Sequence, residues 1–392
     1  MFLTGCETPQ NNQLPQQDKG LRLIPTVGPS SPKWQDFIKT DYDLPIPQDS
    51  IPAGVPDEVR SQILRLYSRN AVERIDAIER LGRIGENAAA SIPFMVSLLA
   101  DDTFTQQGEF LGMRSGETVR GAAGKALASC LGQQGLRALL LAFHNEDPKV
   151  REGAVWAVGQ RDIADEQAIA SITDSLSDPN IAVRRWAAMW FAHLVSTAKQ
   201  KGTQDLSVFA GAVPPLAAAV HSDDMSLREE AFISLRELGK LTDSSLFDEL
   251  VRFFNDARSA RDGSYTIVAC SCLGKTRDHR ATQLLTSLLK DDLEKFKANV
   301  YIHPASAIRG AAADALGELV DIQAVDDLIT MMLDIQETTP QMTPDKRKQN
   351  RFAIQAAANA LQKITGENLG NDPDTWRKWW DKNKTRFDKT VH

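Results

Sequence analysis

The sequence predicts an all-α fold, a right-handed α-solenoid in which antiparallel helix pairs form a superhelix. Three observations predict it. A motif made of a capping Asp, a Val-Arg pair and a run of small residues recurs along most of the chain, about every 31 to 44 residues. Within each copy, the apolar residues fall at helical spacing. A single helix pair cannot bury its own apolar faces, so successive pairs are expected to stack on one another.

The clearest copy of the motif lies at residues 147–159. Asp147 can accept hydrogen bonds from the free N–H groups of a helix start, and Pro148 suits the first turn because its missing N–H costs nothing there. Apolar residues then follow at i, i+4, i+7 and i+8, and a glycine ends the stripe. A second apolar stripe over 169–176 completes a helix pair of about 31 residues.

The other copies begin with an apolar residue followed by Arg. Together with Val150-Arg151 of the clearest copy, the full copies start at Val119-Arg120, Val183-Arg184, Leu227-Arg228 and Ile308-Arg309. Weaker copies lie near Ala71, Tyr265 and Arg351. The copy near Tyr265 lacks the Arg. We therefore expect about seven to eight repeats over residues 57–370.

The turn Asp, the Val-Arg pair and the Ala-x-Ala-Leu-Gly ending resemble HEAT repeats, in the subgroup whose short repeats are similar to those of phycobilin lyases. The resemblance is specific for architecture and not for activity, since such repeats occur in scaffolds, adaptors and some enzymes. In that family the turn Asp and the Arg bond across successive repeats. The resemblance thus implies a structural ladder, interrupted at the Tyr265 copy, whose members are Asp147, Arg151, Arg184, Arg228 and Arg309.

Residues 1–20 are expected to form a tether. Leu3-Thr4-Gly5-Cys6 resembles a bacterial lipobox, in which the Cys is lipidated, but only Met1-Phe2 precede it where a signal peptide needs a charged and apolar leader. The polar, Pro-containing stretch 8–17 is typical of a linker between an anchor and a folded domain. Two interpretations stay open. Either Cys6 is lipidated and the protein is anchored at the periplasmic side of the cell envelope, or the protein is cytoplasmic.

Both ends of the solenoid are expected to be covered. The Pro-rich residues 21–56 are interpreted as an extended arm that packs Trp34, Phe37 and Ile38 on the first repeat, with a free linker as the alternative. At the other end, residues 371–392 begin with a capped helix whose tryptophans at i, i+3 and i+4 share one face. A solenoid must cover its last apolar face, so this helix is expected to be a cap more than a ligand grip.

The sequence contains few residues in the arrangements that catalysis or cofactor binding requires. The cysteines in the repeats, Cys130, Cys270 and Cys272, stand in helical runs of small residues, where Cys behaves as a small buried apolar side chain. The chain has no CxxC or Cys/His framework, no His pair at helical spacing and no phosphate-binding or nucleophile motif. We predict no catalytic residue, no metal and no cofactor.

Three insertions in the Asp-side turns supply the candidate partner-binding loops. They cover residues 103–117, 293–306 and 334–350 and replace turns of a few residues in other copies. Loops on a rigid frame often carry binding residues, although apolar loop residues can also pack back on the frame. The candidate contact residues are Phe104, Phe110, Met113, Arg114, Tyr301 and His303.

The preferred functional hypothesis is a non-enzymatic scaffold that binds another protein. A bilin-lyase-like enzyme is the alternative implied by the repeat subtype, and a nucleic-acid repair protein is a further one. The net charge of −7 argues against nucleic-acid binding, because phosphate neutralisation needs a basic surface. From residue 345 onward 11 Lys/Arg face 6 Asp/Glu, a net charge of +5, which leaves −12 for the rest of the chain. This basic end is interpreted as a solvated tail, or as a contact for something acidic.

Overall fold

The computed structural model describes residues 42–103, 108–110, 113–115, 118–160, 166–203, 205–241, 244–297, 304–338 and 344–387. The chain divides into two compact units, unit 1 up to Leu194 and unit 2 from Val195. Helix α8, Ile181–Gln200, passes from one to the other. The other helices of unit 1 are α1 Asp57–Arg65, α2 Ala71–Ile84, α3 Ile92–Ser97, α4 Val119–Lys125, α5 Gly132–Leu141, α6 Pro148–Gln160 and α7 Glu166–Ser175.

Unit 2 continues the alternation of helices. Its members are α9 Val213–Ala219, α10 Met225–Glu237, α11 Phe247–Ser259, α12 Gly263–Lys275, α13 Arg280–Leu289, α14 Pro304–Leu319, α15 Val325–Thr338, α16 Pro344–Thr365 and α17 Pro373–Phe387. Within each unit, the helices that begin with the repeat motif pack side by side. We call them the first helices. They are α2, α4, α6 and the start of α8 in unit 1, and α10, α12, α14 and α16 in unit 2. The predicted solenoid of helix pairs is confirmed in each unit.

Neighbouring first helices approach closely where glycine meets alanine. A Cβ added at Gly124 would lie 2.4 Å from the Ala157 Cβ in unit 1, and one at Gly317 would lie 2.9 Å from the Ala360 Cα in unit 2. Real Cβ atoms do not tolerate such contacts, so a larger residue at either position would force the helices apart. The small residues of the motif therefore set the spacing of the layer.

Charged side chains connect one repeat turn to the next. In unit 1 the Arg151 guanidinium donates to both carboxylate oxygens of Asp178 at 2.7 and 2.8 Å, and to the backbone carbonyl of Asn145. Asp147 accepts from the backbone N–H of Lys149 at 2.8 Å and so caps the start of α6. This Arg–Asp contact joins the start of one helix pair to the turn that opens the following pair.

A buried version of the same contact lies at the start of unit 1. The Arg74 guanidinium donates to Asp101 at 2.5 Å, and the two side chains are 1% and 0% exposed. Arg74 also donates to the backbone carbonyls of Ser68 and Tyr42. Because removing one partner of a buried ion pair leaves an uncompensated charge, this contact holds the first two repeat turns and the arm together.

The remaining ladder arginines make different contacts. Arg184 donates to the backbone carbonyls of Asp178 and Pro179, and Arg309 donates to that of Asp291. Arg228 pairs with Asp256 at 2.8 Å. In the copy without Arg, Thr266 stands at the Arg position and donates to the Asp262 carbonyl of its own turn. The ladder is thus made of Arg–carboxylate pairs at some turns and Arg–carbonyl contacts at others.

The first insertion contains two short extended segments within the otherwise helical fold. Backbone segments β1, Gly108–Phe110, and β2, Met113–Ser115, pair antiparallel, with Gly108 opposite Ser115. Candidates Phe110, Met113 and Arg114 therefore belong to a short hairpin and not to an irregular loop.

Of the other two insertions, the second agrees in its first residues with packing back on the frame, and the third is corrected. In the second, Leu293 and Phe296 are buried, so its first residues pack back on the frame. The predicted third loop, 334–350, is largely helical: α15 continues to Thr338 and α16 begins at Pro344. Its Pro344-Asp345 start has the helix-initiating character seen at Pro148, a signal that the composition of the segment obscured.

The described part of the arm packs on the N-terminal end of unit 1. Leu44 and Ile51 are buried, and the Tyr67 hydroxyl donates to the Ile46 carbonyl at 2.6 Å. Trp34, Phe37 and Ile38, which were expected to make this contact, lie outside the described residues. No helix within the described ranges has both the length and the apolar composition needed to cross a bilayer.

The predicted cap at the other end is confirmed. Helix α17 packs on α15, and Trp376 and Trp380 are 0% and 5% exposed. The Trp376 indole donates to the Gly370 carbonyl at 2.8 Å, and Trp379 stacks on Trp380 while staying half-buried. The indoles cover the last apolar face of unit 2.

Two adjacent glutamates on α10 are half-buried in unit 2. Burial, together with the smaller effect of the nearby Glu230 and Asp262 carboxylates, raises the pKa of Glu229 to about 7. Burial alone raises the pKa of Glu230 to about 7. Glu318 on α14 behaves in the opposite way, because hydrogen bonds from Lys275 and Lys363 lower its pKa to about 2.

Helix ends in unit 2 carry a strained residue. The residue after the last turn has positive φ at Gly239 and Gly366, where no Cβ interferes, but Val320 occupies the same conformation at φ 53°. A β-branched residue is disfavoured there, and the Val320 side chain is 54% exposed, so little packing compensates for the strain.

We predict that Val320→Gly stabilises unit 2 by about 1 kcal/mol, because glycine adopts positive φ without steric cost. Urea denaturation gives the free energy of unfolding. Val320→Ala is the matched control, since alanine retains a Cβ and most of the strain. Equal or lower stability of the glycine variant relative to the alanine variant would show that Val320 is not strained.

We also predict that the double variant Glu229→Gln, Glu230→Gln is more stable than the wild type at pH 8, by about 1 kcal/mol per site after solvent screening. The pKa of each glutamate in the folded protein lies above its ordinary value of 4.5, so unfolding releases protons between pH 4.5 and 7 and the wild type loses stability as the pH rises through this range. The difference should be absent below pH 4.5, grow up to about pH 7 and stay constant above it.

Thermal melts between pH 4 and 8 measure this effect. Glu318→Gln is the control with the opposite sign: its depressed pKa contributes stability that is present above pH 4.5 and lost toward pH 2, so the substitution should destabilise at pH 7. A gain from the Glu229 and Glu230 changes that does not vary with pH would contradict the prediction.

Candidate functional site

The first helices share a common register, which allows their surfaces to be compared position by position. Val150, Val183 and Leu227 are each the third residue of α6, α8 and α10, and all three are buried. Ile308 of α14 is buried in the same way. The residue seven positions after this apolar anchor is small in most helices, for example Ala157 after Val150 and Ala315 after Ile308.

Trp190 breaks this rule in unit 1. It stands seven residues after Val183, at the position that Ala157 occupies in α6. The indole lies against Gly159, where an added Cβ would be 2.1 Å from the Trp190 Cγ. Its N–H is buried and donates to no acceptor in the described part of the chain, and its ring meets that of His193 edge to face at 5.4 Å.

Trp156 uses a glycine in the same way on the preceding helix. A Cβ added at Gly121 of α4 would lie 3.0 Å from the Trp156 Cη2. Trp156 is half-buried, with part of its ring open to solvent. Glycine on one first helix thus gives room for an indole from the next.

Trp186 is held by a charged pair. Its indole N–H donates to the Glu152 Oε1 at 3.1 Å, and the same oxygen accepts from the Arg120 Nη1 at 2.8 Å. The Arg120 and Glu152 side chains are 7% and 20% exposed. Because the pair is largely shielded from water, it fixes the indole more strongly than a surface ion pair would.

The three indoles lie on the adjacent first helices α6 and α8, and each contacts a residue of the first helix before its own. We call Trp156, Trp186 and Trp190 the tryptophan face. Each is half-buried, so each combines a fixed position with an accessible edge. Rigid, partly desolvated aromatic side chains beside arginines are the composition that dominates the binding energy of protein interfaces.

The tryptophan face was not evident from helical periodicity. Spacing alone does not distinguish a half-buried tryptophan on a helix from one that fills the core. The available signal was register: at Trp190 a large aromatic residue stands where equivalent positions, such as those of Ala157 and Ala315, carry alanine. Comparing the copies position by position would have found it.

The candidate residues from the insertions are not brought together by the described structure. Phe104, Tyr301 and His303 lie outside the described residues, as does Cys6. Phe110, Met113 and Arg114 lie in the hairpin strands, whose backbone is described. Their roles in binding therefore stay predictions.

Reactive side chains in the described residues are placed for packing. Cys270 and Cys272 are fully buried, and burial raises the pKa of both thiols, which opposes thiolate formation. Across the described ranges, no group of three or more His, Cys, Asp or Glu side chains is placed to hold a metal ion.

A cavity of about 370 Å³ in unit 1 lies beside the Arg151–Asp178 pair, between Phe143, Ser171 and Asp174. The Arg151 guanidinium already binds Asp178 and two backbone carbonyls. It therefore has little charge to offer a ligand in this cavity.

Comparison with known proteins identifies the repeats. Residues 114–192 match the family of HEAT repeats, and residues 308–334 match the PBS lyase HEAT-like repeat. A sequence search of the curated proteins found no match.

Several solved structures are similar in fold at low sequence identity. Importin beta is 11% identical, with 84% of this chain and 44% of the importin chain covered and a TM-score of 0.51. The Escherichia coli protein YIBA is 16% identical over 80% of this chain and 93% of its own, with a TM-score of 0.48.

The complex of CpcE and CpcF of phycocyanin lyase from Nostoc sp. PCC7120 is 14% identical over 77% of this chain and 96% of that one, with a TM-score of 0.30. This chain spans less than half the length of importin beta. The sequence matches and the stacked helix pairs agree: residues 114–192 of unit 1 and 308–334 of unit 2 are HEAT repeats.

Proposed function

We propose that this protein is a non-enzymatic scaffold that binds another protein through the tryptophan face of unit 1. The observation that carries the proposal is the fixed exposure of the three indoles. Glycines seat Trp156 and Trp190, and the Arg120–Glu152 pair orients Trp186. A preorganised surface loses little side-chain freedom on binding, which favours affinity.

The repeat architecture supports the same function. Stacked repeats present extended surfaces built from many helices, and such surfaces suit recognition of a protein segment more than enclosure of a small substrate. The bilin-lyase alternative has as its support the repeat subtype of residues 308–334. Cys270 and Cys272 add nothing to it, because their thiols are buried.

Anchoring through Cys6 is a separate proposal that rests on the sequence Leu3-Thr4-Gly5-Cys6. A lipidated Cys6 followed by a polar tether would hold the repeats at the cell envelope and restrict the partner to that compartment. Without lipidation the scaffold would act in the cytoplasm. The proposed binding surface is the same in both compartments.

We predict that the double variant Trp156→Ala, Trp186→Ala weakens partner binding about 30-fold or more, the effect of losing at least 2 kcal/mol at an interface. The immobilised full chain is used to capture the partner from the source cells, and the captured protein is then titrated against each variant. Trp379→Ala is the matched control, since Trp379 is also a half-buried tryptophan but lies on the cap helix.

A second variant separates the two candidate surfaces. Phe110, Met113, Tyr301 and His303 are changed together to Ser. Loss of binding in this variant, with full binding by the double tryptophan variant, would assign recognition to the insertions and contradict the proposed face. Circular dichroism of every variant shows whether the helices are retained.

A further inference from the structure

The charge of the first helices differs in sign between the two units when equivalent positions are compared. We compare residues that lie on the solvent side of each first helix, at equivalent places in the repeat, and that are not buried. On α4, α6 and the start of α8, which we call the unit 1 set, the charged residues at these positions are Lys125, Lys149, Glu152 and Arg185, while α2 carries Glu79 and Arg83, whose charges are opposite in sign. In unit 2 they are Glu229, Glu237, Lys275, Asp314, Glu318 and Lys363.

The single anion of the unit 1 set is already compensated. Glu152 accepts hydrogen bonds from the Arg120 guanidinium and the Trp186 indole through one oxygen, Oε1. Since Arg120 contributes a further positive charge, the solvent side of α4, α6 and the start of α8 is cationic. Lys125 and Lys149 are both exposed.

The cations alternate with the tryptophan face along the same helices. On α6, Lys149, Glu152 and Trp156 fall at i, i+3 and i+7 and therefore share a stripe. On α8, Arg185 immediately precedes Trp186. A ligand that contacts the Trp156 indole thus lies within reach of Lys149, which shares its stripe, whereas the Arg185 and Trp186 side chains point about 100° apart around α8.

We propose that the tryptophan face binds an acidic protein segment that also carries apolar side chains. This inference rests on the proposed function and specifies the chemistry of its partner. Carboxylates complement the cations of unit 1, and apolar side chains pack on the accessible edges of the indoles. At the equivalent positions of unit 2, four carboxylates stand beside two lysines, so these positions complement the same segment less well.

The dimensions of the face fix the size of the segment. Packed helices lie roughly 9 Å apart, so three of them span about 20 Å, which an extended chain covers in about six residues. Neighbouring helices are thus about three residues apart along the segment. An acidic residue at about every third position, with apolar residues between, matches one cation for each helix.

Single-stranded nucleic acid is the competing occupant, because it too combines negative charge with groups that stack on indoles. The face favours a peptide. Nucleic-acid affinity depends on many phosphate contacts, whereas Lys125, Lys149 and Arg185 supply three cations and the whole chain carries −7.

The inference is tested by fluorescence anisotropy with the full chain and a labelled peptide of about twelve residues that repeats Glu-Leu-Phe. Three further probes are a peptide with Lys in place of Glu, a peptide with Ser in place of Leu and Phe, and an oligothymidylate. The repeating Glu-Leu-Phe peptide should bind at least about tenfold more tightly than either control peptide, and its binding should weaken with added salt.

Charge reversal locates the site. Lys125→Glu with Lys149→Glu should weaken binding of the acidic peptide about tenfold or more, whereas Lys275→Glu, a reversal on a first helix of unit 2, should leave it unchanged. Equal binding of the Lys peptide, no effect of the double reversal, or binding of oligothymidylate without binding of the acidic peptide would each overturn the inference.

The two proposals fail in different ways. If the captured partner loses affinity in the Trp156→Ala, Trp186→Ala variant but keeps it in the double charge reversal, the tryptophan face binds a partner that is not acidic. If the partner is unaffected by the tryptophan changes, the proposed function itself is wrong.

Discussion

The close approach of neighbouring first helices is the constraint on which the rest of the structure depends. A thin helix pair leaves apolar area on both sides, and only contact with the next pair removes that area from water. Gly124 against Ala157 and Gly317 against Ala360 show how near the helices come. Since interiors are packed without slack, the size of one side chain at these positions decides whether the layer forms.

The charged contacts depend on that spacing. Arg151 reaches Asp178 of the next turn because the two helix starts lie side by side, and Arg74 reaches Asp101 for the same reason. In the second case both side chains are fully buried, so neither ion can be compensated by water. Helix packing therefore comes first, and the ion pairs add a requirement that each repeat meets its neighbour in one register.

Much of the fold could be predicted from the sequence, because each copy of the motif indicates where a helix begins and which of its residues are buried. Asp147-Pro148 begins a helix, Val150 points inward, and Trp376 with Trp380 covers the end, as their spacing predicts. The hairpin at 108–115 and the helical start of α16 could not be predicted in this way. Each lies in an insertion, where no second copy exists to define the pattern.

The candidate site was harder to predict than the fold for a related reason. Periodicity indicates which face of a helix is buried, and the half-buried positions of Trp156, Trp186 and Trp190 agree with it. What distinguishes them is departure from the repeat. Trp190 replaces an alanine, and Arg120 reaches Glu152, a carboxylate within the next helix, where Arg151 reaches a turn Asp.

These departures have a common physical meaning. A repeat that needs only to stack is satisfied by alanine at the Trp190 position, as Ala157 and Ala315 show. Gly159, the glycine that ends its repeat, faces this position, just as Gly317 faces Ala360, so a place that holds alanine in another repeat holds an indole here. Stacking accounts for the glycine but not for the size of the indole, whereas an aromatic surface held for a partner accounts for both. In a repeat protein, binding surfaces are therefore best sought where a costly residue replaces the small one that packing would accept.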